Sequence, residues 1–253
     1  MCLILIAFRP ESDLPLVVAG NRDEFHSRPT LKADWWPDDA NVLGGRDLQA
    51  GGTWLAVSRS GRFAAVTNYR DAAASRSGKQ SRGHLVTEFL GGSATPTEYV
   101  DSVAGEDYTG FNLLVSDGHA LAYLSNRSSR YGELSAGVYG LSNATLDTPW
   151  EKVERSKQRL HSLIETDAVH ETSLMRLLGD RDKGPIAEAK SEHLPFSTAH
   201  AITAPFIVLP EYGTRCSTVV IADKHGRWQF AERRFSPDGS KSGESRYSFS
   251  QVD

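Results

Sequence analysis

The chain has 253 residues, of which 39% are hydrophobic and 24% charged, with a formal net charge of −4. This is the balance of an ordinary globular chain with enough residues to bury a core, and it lacks the basic excess that marks nucleic-acid or anionic-membrane partners. Two cysteines, Cys2 and Cys216, rule out a disulfide framework and CxxC chemistry, although a single Cys2–Cys216 bridge stays open; so sparse a usage fits a reducing compartment and points to the cytoplasm.

Cys2–Phe8 (CLILIAF) is an unbroken apolar run, read as a strand buried on both faces. Arg9, Pro10 and Glu11 follow at once, with no basic n-region and no small-residue cleavage site, so no signal peptide is expected. No apolar run approaches transmembrane length. Leu14–Gly20 is a second strand, reached through Glu11-Ser12-Asp13, and this hairpin ends in the polar tetrapeptide Asn21-Arg22-Asp23-Glu24. Three more hairpins follow the same logic. Thr53–Ser58 and Arg62–Thr67 flank RSG, Phe111–Ser116 and Ala120–Ser125 flank DGH, and Thr218–Asp223 and Trp228–Phe235 flank KHG.

Helical patterns lie between the hairpins: Leu85–Leu90, Thr97–Val103 behind Pro96, Pro149 to about Glu165, and Leu174–Leu178. Arg181–His193 is polar and patternless and reads as a loop. The tail from Ser236 is rich in serine, glycine and charge and is predicted to fray. With no repeat and no linker, the reading is one α+β domain over residues 1–253, with hairpin-rich sheets and grouped helices.

Cys2 is the first candidate for chemistry. Methionine is removed efficiently before a small residue, and the chain would then start with a cysteine whose free α-amine has an unperturbed pKa of about 7.7–8.0. A nucleophile with its own terminal amine as base is a workable catalytic pair; a small hydrophobe filling a buried strand is the plainer alternative. Asp23 is placed to reach that amine if the first two strands are neighbours. Asn68, after the strand AVTN, and Asn143, in the turn GLSNATLDTPW, are amide donors suited to an oxyanion, or else ordinary turn residues. Arg215, in YGTRCSTVV, suits a thiolate or a substrate carboxylate. The glycines of GGRDLQAGGTW fit neither a P-loop nor a dinucleotide fingerprint. The eight histidines show no HxxxH or HExxH spacing, so no metal site is expected.

Taken in order, MC, NRDE, GGRD…GGTW, VTNYR, SRG, LSN…LDTPW.K and GTR.ST resemble the NRDE family, also called the Transport and Golgi organisation 2 family. More distantly, the same points are similar to the cysteine N-terminal-nucleophile hydrolases of the penicillin V acylase and bile salt hydrolase type. The resemblance implies a four-layer αββα fold of two antiparallel sheets between helices. It implies catalytic roles for Cys2, Asp23, Asn68, Asn143 and Arg215, with Asn21, Arg22, Glu24, Arg46 and Trp54 around the substrate. The implied activity is hydrolysis of an amide or thioester of an acylated small molecule through Cys2, with no cofactor required. The alternative is a non-catalytic protein that binds and carries haem or an acyl-CoA or lipid, with Trp35, Trp36, Trp54 and Trp150 as candidates to line an apolar pocket. In one respect the chain departs from the hydrolases. They carry an arginine just before N-x-D where this chain has Gly20, and Arg22 stands next but one.

Overall fold

A computed structural model describes residues 2–70, 79–129, 131–189 and 194–252. Two antiparallel sheets lie face to face. Among the described residues, one has six strands in the order β10-β1-β2-β11-β12-β13. These are β1 (Cys2–Phe8), β2 (Leu16–Phe25), β10 (Gly137–Leu141), β11 (Tyr212–Ala222), β12 (Arg227–Phe235) and β13 (Lys241–Ser250). The other is a meander of seven in chain order: β3 (Thr30–Trp35), β4 (Val42–Asp47), β5 (Leu55–Ser58), β6 (Phe63–Asn68), β7 (Phe111–Ser116), β8 (Leu121–Ser125) and β9 (Gly132–Glu133). Helices α1 (Arg82–Gly91) and α2 (Pro96–Ser102) cover the outer face of the seven-stranded sheet. On the other side, α3 (Glu151–Glu165) and α4 (Glu171–Leu178) cover the six-stranded one, and α5 (Phe196–Ala201) precedes β11. The expected α+β layering of helix, sheet, sheet and helix is what the chain forms. No helix among the described residues is long and apolar enough to cross a membrane.

The layering follows from the period of two along each central strand. On β1, Ile4, Ile6 and Phe8 enter the core between the sheets, while Leu3, Leu5 and Ala7 pack against Val153 and Leu160 of α3 and Leu174 of α4. Both faces are buried, which is why the opening run is apolar throughout.

Several expectations change. β2 does not stop at Gly20 but runs on through Asn21, Arg22, Asp23 and Glu24 to Phe25, between β1 and β11. These polar residues are therefore mid-sheet, and the first three are buried. The tail is not frayed. Tyr247 and Phe249 alternate inward from β13 onto Trp35, with ring centroids 6.5 and 5.1 Å away, while the intervening serine and charge stay outside and mask the pattern. The 181–189 part of the predicted loop includes a 3-10 turn, Ile186–Glu188, and residues 190–193 lie outside the described residues. The Cys2–Cys216 bridge is excluded by register. Arg22 pairs with Cys2 on one side and with Cys216 on the other. Two strand spacings put the cysteines about 10 Å apart, beyond disulfide reach, and both are free.

Candidate active site

Cys2 opens β1 at one end of the inter-sheet core, on the floor of a cleft of about 620 Å³. Its backbone nitrogen donates to Asn143 Oδ1 at 2.9 Å, and its carbonyl accepts from Ser142 Oγ at 2.7 Å. β10 pairs with β1 up to Leu141↔Ile4, so the turn that follows β10 falls beside Cys2. Asn143 Nδ2 donates to the Asn68 carbonyl at 2.6 Å, and Arg70 N donates to the Asn143 carbonyl at 2.8 Å. The two sheets are thereby tied together at the nucleophile. Thr67 Oγ1 holds the Ser142 carbonyl at 2.8 Å, and Asn112, itself bonded to Tyr123, holds Thr67 and the Ala144 carbonyl. Asn143 thus orients the Cys2 nitrogen through its oxygen, a different task from the oxyanion donor the sequence suggested. The Asn68 side chain lines the cleft and is exposed.

β1 and β2 pair without a register shift, so Arg22 shares the inter-sheet face with Cys2. It is 5% exposed, and its guanidinium carbon sits 4.3 Å from the centre of the Trp54 ring. Gly20, two residues earlier on this face, looks onto Leu55; the cation beside the thiol therefore comes from Arg22. Crowding around Cys2 pushes its thiol above the ordinary range by burial, and Arg22 and a hydrogen bond from the Asp23 backbone oppose that rise. The resting form is therefore the thiol, and attack needs a base.

Asp23 is 3% exposed, and its Oδ1 accepts from Thr214 Oγ1 at 2.7 Å. Burial raises its carboxyl from 3.8 to about 6, and the positive charge of Lys152 limits the rise. Lys152 was not singled out in the sequence. It stands in the first turn of α3, 2% exposed, and donates to the Ile202 carbonyl at 3.3 Å. Burial lowers its ammonium, and Asp23 and Cys2 oppose the fall. The missed residues had a signal in the motifs themselves. Lys152 is the lysine of LDTPW.K, and Thr67, Ser142 and Thr214 are the hydroxyl neighbours of Asn68, Asn143 and Arg215.

Other expected site residues are placed elsewhere. Arg215 is the extra residue of a β-bulge between Thr214↔Asp23 and Cys216↔Arg22. Its Nη1 donates to the carbonyls of Phe25 and Arg28 at 2.8 and 3.1 Å, outside the cleft lining. Asn21 faces the helix layer, with its amide bonded to the Leu178 and Pro205 carbonyls and to Ser217 Oγ. Arg46 stacks on Trp36 and pairs with Asp38 at 2.6 Å, also outside the lining. Glu24 and Trp54 do line the cleft. Of the other tryptophans, Trp36 is core, and Trp35 and Trp150 pack against core clusters.

Gly45 explains part of the GGRD segment. A Cβ there would strike the Trp54 ring, meeting Cζ2 at 2.6 Å. Gly45→Ala is expected to displace the ring that carries Arg22 and to destabilise the fold by about 1–3 kcal/mol. Urea denaturation followed by tryptophan emission reads both effects, and an unchanged midpoint and spectrum would contradict this account.

The profile of the family described as Transport and Golgi organisation 2 matches residues 1–237. The chain belongs to this family. It is 36% identical over 256 residues to the Transport and Golgi organization protein 2 homolog of Bos taurus, and 34% identical over 260 residues to that of Homo sapiens, with 92% of each chain covered in both cases. Among solved structures, the C2A mutant of conjugated bile acid hydrolase from Clostridium perfringens matches with a TM-score of 0.50 and 9% identity, over 100% of this chain and 98% of that one. At that identity the likeness carries the fold alone. In this family member, then, an N-terminal-nucleophile-hydrolase fold holds Cys2, Asp23 and Asn143 together and turns Arg215 away.

Proposed function

We propose that this protein hydrolyses an amide or thioester bond of an acylated small molecule, with Cys2 as nucleophile after removal of Met1. The observation that carries this reading is the 2.9 Å hydrogen bond from the Cys2 nitrogen to Asn143 Oδ1. It orients the group that becomes the α-amine at the same residue that bears the thiol. The α-amine takes the thiol proton, and the sulfur attacks the acyl carbonyl to form a C–S bond and a tetrahedral oxyanion. The Asn68 side-chain amide, which lines the cleft, is the donor for that oxyanion. Collapse breaks the bond to the leaving amine or thiol, which departs with the proton held by the α-ammonium. Water, activated by the same amine, then cleaves the thioester and releases the acid. Asp23, kept ionised against burial by Lys152, is the counter-charge of the α-ammonium, and Arg22 favours the thiolate.

A polar, charged cleft with Trp54, Phe25 and Tyr212 as its aromatic lining favours this reading over carriage of a large apolar macrocycle. The test is intact-mass spectrometry of the purified chain, alone and after mixing with a short-chain acyl thioester. A mass without Met1, gaining one acyl group that peptide mapping places on Cys2, is the expected result. Retention of Met1, or no adduct on Cys2 with thioester or activated ester, would overturn the proposal.

A further inference from the structure

The tail from Ser236 has no part in the acyl-transfer steps. The family profile stops at residue 237, and β13 follows it as the outermost strand of the six-stranded sheet. Among the described residues the two sheets have four edges. β9 has two residues, β10 five, and β3 six with a register shift, whereas β13 has ten. An edge strand presents unpaired amides and carbonyls, and a long regular one is a template for another strand.

The direction of the free groups follows from the ladder. Gln251 N donates to the Gly226 carbonyl at 2.8 Å, one step beyond the pair Arg227↔Ser250. Bonded and non-bonded pairs alternate in an antiparallel ladder. Ser245, Tyr247 and Phe249 therefore turn their backbone groups to β12, and Glu244, Arg246, Ser248 and Ser250 turn theirs away from the sheet. Val252, next in that outward series, donates to the Arg59 carbonyl at 2.9 Å, so the turn between β5 and β6 closes this end.

The devices that keep edges apart are missing from residues 244–250. There is no proline, and the register shift, between Arg234 and Phe235 of β12, lies before this stretch. Its charges are committed. Arg246 pairs with Glu171 of α4 at 2.8 Å and with Glu244 at 2.9 Å, and Glu244 also holds Arg233 at 2.7 Å and Lys241 at 2.6 Å.

We infer that β13 is an interface with a second copy of this chain, joined antiparallel about a two-fold axis at Ser245. Charge selects this register. It sets Glu244 opposite Arg246 of the second copy, twice by symmetry, whereas an axis at Glu244 or Arg246 would oppose like charges. The outward amides and carbonyls of Glu244 and Arg246 then exchange about four hydrogen bonds across the axis. One strand from each side makes a small interface, so the dimer is expected to be reversible, with a roughly micromolar Kd.

The test is sedimentation equilibrium of the full chain from low micromolar to submillimolar concentration, where a monomer–dimer equilibrium is expected. In Cys2→Ala protein, Ser245→Cys brings two thiols together at the axis, where facing Cα atoms of a non-bonded pair lie about 4.5 Å apart, within disulfide range. Mild oxidation should yield a covalent dimer. Ser250→Cys, whose two copies lie about 34 Å apart in this register, should cross-link only at the rate of chance collision. Arg246→Glu opposes Glu244 with a like charge across the axis and is expected to weaken association about tenfold. The melting temperature of dilute protein should stay within a few degrees, since exposed ion pairs contribute little. A monomer at every concentration, a dimer that cross-links no faster through Ser245→Cys than through Ser250→Cys, or an affinity unmoved by Arg246→Glu would overturn the inference.

Discussion

Cys2→Ala is expected to cut turnover of acyl amides and acyl thioesters by at least about 10⁴-fold, the scale on which removing a nucleophile abolishes covalent catalysis. The substitution deletes one sulfur from the cleft floor and leaves the hydrogen bonds to Asn143 and Ser142 intact, because both involve backbone atoms of residue 2. The melting temperature should therefore move by no more than a few degrees, so that a lost rate cannot be ascribed to unfolding. A panel of acyl chain lengths, each as amide and as thioester, compares the two proteins. Equal rates across the panel would sink the nucleophile. A loss confined to thioesters would identify the bond class.

Asp23→Asn is expected to separate stability from activity by pH. In the unfolded chain the carboxyl titrates near its ordinary value of 3.8, and in the fold near about 6, because burial disfavours the charge. Between those values the folded state binds more protons than the unfolded one, so the contribution of Asp23 to stability falls as pH rises. Above about 6 the whole cost of holding the anion is present. Moving a carboxyl from 3.8 to about 6 is worth about 3 kcal/mol. The stability of Asp23→Asn relative to wild type should therefore improve by up to about that amount as pH rises through this window, measured by urea denaturation. Activity should go the other way. The ionised carboxylate is the form that faces the α-ammonium, so wild-type kcat/KM falls as pH drops through about 6. Asp23→Asn loses the inflection near about 6, keeps only the limb set by protonation of the α-amine, and runs about 10²-fold lower. Lys152→Met, which removes an attraction that holds the carboxyl down, should move the limb to higher pH. An unaltered limb in Asp23→Asn would assign the ionisation to another group.

The Asp23 prediction turns on a stretch where sequence and structure part. Asn21-Arg22-Asp23-Glu24 reads as a strand end because buried strands are seldom polar. It is mid-sheet because each side chain has a private partner: Asn21 with Ser217 and two carbonyls, Arg22 with the Trp54 face, and Asp23 with Thr214. Those partners lie far along the chain, 191 positions away for Thr214 and Asp23, and no local pattern encodes them. Asp23 and Asn143 were legible as members of an ordered set. That Asn143 would present its oxygen to Cys2 was not, since an amide offers a donor and an acceptor and only its neighbours choose between them. Arg215 shows the converse: a cation in the right motif, turned away by a one-residue bulge that strand periodicity does not announce.

The sequence by itself determined the apolar alternation, the turns that pair the strands into hairpins, the amphipathic helices that cover them, and the ordered motifs that mark the family. These are local or collinear properties, set by side-chain period and turn chemistry. The tertiary structure alone decided which charged groups face Cys2. Arg22 comes by register, and Lys152 by burial of the first turn of α3. The physical reason is that charge acts over a few ångströms of low-dielectric space, and proximity there is created by packing of distant segments rather than by spacing along the chain.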